Sequence, residues 1–228
     1  MTRTVRPTLH PTPAGDARIT WHHATTGTAR AVLALGHGAG GGIEAPDLQA
    51  LAARLPARGI TVALVEQPWR VAGKRLAPPP RSLDAAWTAL WPELAAPGPP
   101  VVAGGRSAGA RVACRTARTT GAHAVLALSF PLHPPGKPER SRLDELTGVG
   151  VPALVVQGGR DTFGRPDEFP PGTELVVVPD ADHGFAVRAS AALGREAALA
   201  AAAASAGEWL DRVLPPARPG RGATPVSR

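Results

Sequence analysis

The chain has 228 residues, enough for one domain with a single large core, and 43% of them are hydrophobic. Its formal net charge of +7 sits mostly at the ends, with Arg3, Arg6 and Arg18 against Asp16 at one and Arg218, Arg221 and Arg228 at the other. That distribution argues against a nucleic-acid partner, and a lone cysteine, Cys114, excludes a disulfide framework and cysteine-rich metal sites.

The start, MTRTVRPTLHPTPAG, has no apolar signal region, and no stretch of eighteen residues is apolar enough to span a bilayer. A cytoplasmic protein without a membrane partner is expected. Residues 1–16 read as a flexible segment, 17–214 as the folded domain and 215–228 as a disordered tail rich in Pro, Arg and Gly. Along the body, strand-like and helix-like patterns alternate, which predicts an α/β fold: a mostly parallel central sheet with helices on both faces.

Ala31–Leu35 is a short apolar run ending in Gly36-His37-Gly38 and reads as a buried strand. Pro46-Asp47 opens a helix with Leu48, Leu51, Ala52 and Leu55 on one face, and Gly59 follows its end. Ile60–Val65 is the next strand, then a proline-bounded loop over 68–80. Ser82 is expected to cap a helix carrying Leu83, Ala86, Trp87, Leu90, Trp91 and Leu94 as its apolar stripe. Val101–Gly104 is a strand, and the helix after it places Arg111, Arg115 and Arg118 on one face, read as solvated. Ala124–Phe130, Pro152–Gln157 and Glu174–Val178 are further strands, and a long alanine-rich helix from about Ser190 closes the domain. Only a short stretch separates Phe130 from Val151, which leaves no room for a large cap domain there.

Between strand and helix stands Gly105-Arg106-Ser107-Ala108-Gly109, a complete G-x-S-x-G. A nucleophile elbow needs this context: a buried strand, a sharp turn that exposes the hydroxyl, and flanking positions too tight for a bulky side chain. Serine is a poor nucleophile until a base takes its proton, and the base needs an orienting group. Asp161 and His183 each follow a strand, so the order runs Ser107, Asp161, His183. Asp180 and Asp182 rival Asp161 for the acid, being nearer to His183 in sequence. The Ala108 amide at the helix start and an amide of His37-Gly38-Ala39-Gly40, that of Ala39, are the candidate oxyanion donors. His37 reads as ordering its turn and Cys114 as a packing residue. No metal spacing is present, and no cofactor is implied. Lys74, Arg75, His133 and Lys137 lie in loops that could border a site and meet a carboxylate-bearing substrate.

GHGAGG, GGRSAGAR, LHPPGKPE, QGGRDTFG and DHGF together resemble the α/β-hydrolase superfamily, among its small dienelactone-hydrolase-like members. More narrowly they resemble the group that includes the testis-expressed hydrolase-like proteins and the NSL-complex subunit 3 domain. The similarity spans roughly residues 17–214. It implies Ser107 as nucleophile, His183 as general base and acid, and Asp161 as the orienting carboxylate. Dienelactone hydrolases proper carry cysteine at the elbow, so their activity does not transfer to this serine. The expectation is a serine hydrolase acting on an ester, thioester or similar acyl bond of a small molecule. The competing readings are a hydrolase-fold scaffold without turnover and an acyltransferase.

Overall fold

The computed structural model describes residues 7–216. Eight strands form one sheet: β1 (Thr8–His10), β2 (Ala17–His22), β3 (Ala31–Gly36), β4 (Ile60–Glu66), β5 (Val101–Arg106), β6 (Ala124–Leu128), β7 (Ala153–Gly158) and β8 (Leu175–Val178). Their spatial order is β1-β2-β4-β3-β5-β6-β7-β8. Strands β3 to β8 run parallel, whereas β2 pairs antiparallel with both β1 and β4. The helices are α1 (Pro46–Arg54), α2 (Pro68–Val71), α3 (Pro80–Ala95), α4 (Ala108–Thr120), α5 (Leu143–Thr147) and α6 (Arg195–Val213).

The central strands are apolar throughout because both faces of the sheet are covered, as parallel strands require. Alternation assigns each residue to a face. Val32 and Ala34 of β3 join a core with Trp69, Trp87, Leu90 and Val112 under α3 and α4. Leu33 and Leu35 face the other way, against Leu48, Leu51, Trp209 and Leu210 of α1 and α6. Leu210 is fully buried, and burying such a side chain contributes roughly 1.5–3 kcal/mol. Among the described residues, no helix is long and apolar enough to cross a membrane.

Several expectations need correction. Part of the segment read as flexible is ordered: Thr12 and Gly15 close a turn that lays Thr8–His10 along β2. Residues 1–6 lie outside the described residues. Of the tail read as disordered, residues 217–228 lie outside them as well, and 215–216 are irregular. Helix α3 starts at Pro80, two residues before the expected cap Ser82, because proline is preset for the first helical turn. Helix α6 starts at Arg195, later than Ser190, after Gly194.

The arginine face of α4 is not simply solvated. Arg111 and Arg115 are each about one-fifth exposed and share Glu145 of α5, at 2.5 and 2.9 Å. Arg115 also grips Asp84 of α3 at 2.6 Å. Planar guanidinium forks are suited to such bidentate pairing, and here they tie three helices together.

Candidate active site

The elbow is built from glycines that cannot be replaced cheaply. A Cβ on Gly105 would lie 2.5 Å from the Gly36 carbonyl oxygen, and one on Gly109 would press still closer on the same atom. Strand β3 therefore abuts the turn directly. Ser107 sits between strand and helix at φ 53°, ψ −109°, a strained backbone for a residue with a side chain. Its N–H is spent on the Leu128 carbonyl of the neighbouring strand at 2.9 Å, and the residue is half-buried.

His183 reaches Ser107 from the loop after β8. Its Nε2 lies 2.9 Å from Ser107 Oγ, and its Nδ1–H donates to Asp161 Oδ2 at 2.8 Å. Asp161, fully buried at the end of β7, is held on both oxygens. Gln157 Nε2 donates to Oδ2 at 2.9 Å and the Phe163 amide donates to Oδ1 at 2.9 Å. A buried carboxylate is tolerated only with such partners, and these also fix its direction. The rivals lie elsewhere: Asp182 Oδ1 accepts from the Gly184 and Ala186 amides, closing its own turn, and Asp180 is exposed.

Two features of this arrangement escape sequence reasoning. The Phe163 ring stacks on the His183 imidazole, centroids 4.2 Å apart and planes 28° from parallel. Arg106, the variable residue of the elbow motif, donates from Nη2 to the His183 carbonyl at 2.9 Å, and its Nε lies 3.3 Å from Asp47 Oδ2. Burial at the start of α1 pushes the Asp47 carboxyl up, and the Arg106 guanidinium opposes that shift. Only proximity to Asp161 in sequence for Phe163, and an unexplained cation inside the elbow for Arg106, could have pointed to them.

The loop after β3 brings Ala39 against the start of α4. Ala39 and Ala108 line one small cleft with His37, Gln67 and Trp69. As the first residue of α4, Ala108 has an amide without an acceptor inside the helix, and the Ala39 amide has none among the described residues. His37 orders this region: its Nδ1–H donates to the Gly38 carbonyl at 2.9 Å and its Nε2 accepts the Gln67 amide at 3.0 Å. Burial lowers its pKa, which agrees with a neutral ring that both donates and accepts.

Of the loop cations, His133 is committed to Glu168 at 2.5 Å, and Lys137 is exposed in a turn closed on Pro134. Arg75 is exposed, while Lys74 borders a groove beside α2. Cys114 is buried in the core, and desolvation pushes its thiol up to about 12, which leaves it inert at neutral pH.

Chemically, the arrangement offers a hydroxyl aligned on an imidazole, a carboxylate behind that imidazole, and a cleft lined by Ala39 and Ala108. Several solved structures share its fold. An α/β serine hydrolase without a lid from Xanthomonas campestris has a TM-score of 0.75 at 20% identity, over 96% of this chain and 98% of that one. A dienelactone hydrolase from Anabaena variabilis gives 0.65 at 19%, over 92% and 100%. The esterase domain of a Rhodothermus marinus protein gives 0.67 at 13%, over 91% and 98%. Among curated proteins none matches. The sequence profile described as "Alpha/beta hydrolase domain" matches residues 29–211, most of the chain, and to that family this protein belongs.

Proposed function

We propose that the protein is a serine hydrolase of the carboxylic-ester type, with Ser107 as nucleophile, His183 as general base and acid, and Asp161 as its orienting partner. The observation that carries this reading is the unbroken line from Ser107 Oγ through His183 to Asp161, with links of 2.9 and 2.8 Å. A scaffold has no use for that alignment.

In this mechanism Ser107 Oγ bonds to the substrate carbonyl carbon while its proton passes to His183 Nε2. Asp161 accepts the Nδ1–H bond and stabilises the imidazolium. The carbonyl oxygen, now an oxyanion, takes the Ala39 and Ala108 N–H groups. Collapse breaks the bond to the leaving oxygen or sulfur, which receives the proton from Nε2. Water repeats the sequence on the acyl-enzyme, giving the carboxylic acid and restoring Ser107. Ester and water become acid and alcohol, with no cofactor entering any step. The substrate is a small acyl compound met in the cytoplasm. The shared motifs support placing the chain near the testis-expressed and NSL-complex subunit 3 group.

A fluorophosphonate probe tests the reading. Wild type should be modified at Ser107, located by mass spectrometry, and Ser107→Ala should stay unlabelled. Well-folded wild type that takes no label would overturn it.

A further inference from the structure

A groove of about 410 Å³ runs beside α2, walled by Pro68, Trp69, Val71, Leu76 and Leu83, with Lys74 among its bordering residues. That volume is in the range of small-molecule sites. Gln67 lines both this groove and the cleft that holds Ala39 and Ala108. It is only 3% exposed, and its Oε1 is buried with no hydrogen-bond partner. Its backbone is not adjustable, because the Gln67 amide is fixed on His37 Nε2 of the oxyanion loop at 3.0 Å. A buried acceptor left unpaired is costly, and it discriminates strongly between ligands that supply a donor and ligands that do not.

The sheet decides which arm of a substrate lies there. His183 arrives from the β8 side of Ser107, whereas Gln67 follows β4, on the opposite side of β5. The leaving group must face His183 to receive its proton, which leaves the side toward β4 to the oxyanion and the acyl chain. We infer that the groove beside α2 is the acyl subsite and that Gln67 Oε1 selects acyl chains bearing a hydrogen-bond donor, a hydroxyl on the chain. This rests on the proposed hydrolase reading and adds a substrate class to it: hydroxyacyl esters over their deoxy counterparts.

The test compares kcat/KM for p-nitrophenyl butyrate with that for the 2-hydroxy- and 3-hydroxybutyrates, within each protein. Wild type should favour at least one hydroxy ester by about tenfold or more. Gln67→Glu, which keeps an acceptor, should retain the preference, and Gln67→Leu should bring the ratio to about one. Equal rates in wild type, or a preference that survives in Gln67→Leu, would overturn the inference. Circular dichroism checks folding, with Gln67→Met as substitute where Gln67→Leu fails to fold.

Should no ester be cleaved and Ser107 take no label, the hydrolase reading fails by itself. The subsite is then judged by NMR shifts of the Trp69 indole on adding methyl 3-hydroxybutyrate or methyl butyrate. A stronger response to the hydroxy ester that disappears in Gln67→Leu supports it, and equal responses reject it.

Discussion

Arg106 and His183 are joined across the mouth of the site, Nη2 of the first donating to the carbonyl oxygen of the second at 2.9 Å. The residue next to the nucleophile thus holds the loop that carries the base. Its other edge faces Asp47, which is 5% exposed, so the guanidinium also neutralises a carboxylate that burial would otherwise penalise.

Replacing Arg106 with Met should therefore act twice. Leaving Asp47 buried without its counter-ion should cost about 3–5 kcal/mol in urea unfolding, and adding Asp47→Asn should recover most of that. The folded pKa of Asp47 is raised, so its ionisation lowers stability as pH climbs from the unfolded value near 3.9 through the folded one. Arg106→Met should widen that interval. In the folded fraction kcat should fall while KM for a small ester changes little.

Phe163→Ala removes the ring that stacks on His183 but keeps the amide that holds Asp161 Oδ1. The imidazole gains freedom, and kcat should drop by about tenfold. Asp161→Asn should cost far more, on the order of 10⁴-fold, because the asparagine cannot enforce the required tautomer. Steady-state kinetics on p-nitrophenyl acetate separates the two, and equal losses would contradict the assigned roles.

The His133–Glu168 pair should mark the pH dependence of stability. Its first cause, the Glu168 hydrogen bond, raises the pKa of His133, so its contribution is complete below about 6.5 and is lost as pH rises through the folded value. The same bond lowers the pKa of Glu168, so on the acid side the contribution fades as pH falls through that depressed value. Glu168 is 37% exposed, and solvent screening limits the pair to under about 1 kcal/mol. Urea midpoints at pH 6 and pH 8 should differ in wild type by more than in His133→Gln.

Gly109→Ala probes the elbow backbone. The added methyl meets the Gly36 carbonyl rather than a movable side chain, so strand and helix must separate. A loss of about 1–3 kcal/mol is expected, together with weaker labelling of Ser107 by the fluorophosphonate.

Much of this architecture is legible in the chain because parallel strands covered on both faces must be apolar runs, and such runs announce themselves. Ser107, Asp161 and His183 were visible because each directly follows one of those runs. Strand β1 was not, since three residues at a sheet edge carry no periodicity, and β2 becomes recognisable only beside β4. Arg111 and Arg115 looked solvated because their partners, Asp84 and Glu145, come from helices about thirty residues away. Gln67 and Phe163 matter through what other loops bring against them, and spacing along one chain does not encode that.

The connection from β6 to α5 keeps residues 135–141 exposed, at the same end of the sheet as Ser107. Exposed tips of this kind accept added chain without disturbing the strands beneath them. This stretch is therefore the natural graft point for an engineered roof: a helical insert there would overhang the site while leaving the Ser107–His183–Asp161 line and the sheet untouched. A scaffold so arranged is a chassis whose selectivity can be rewritten from one splice position.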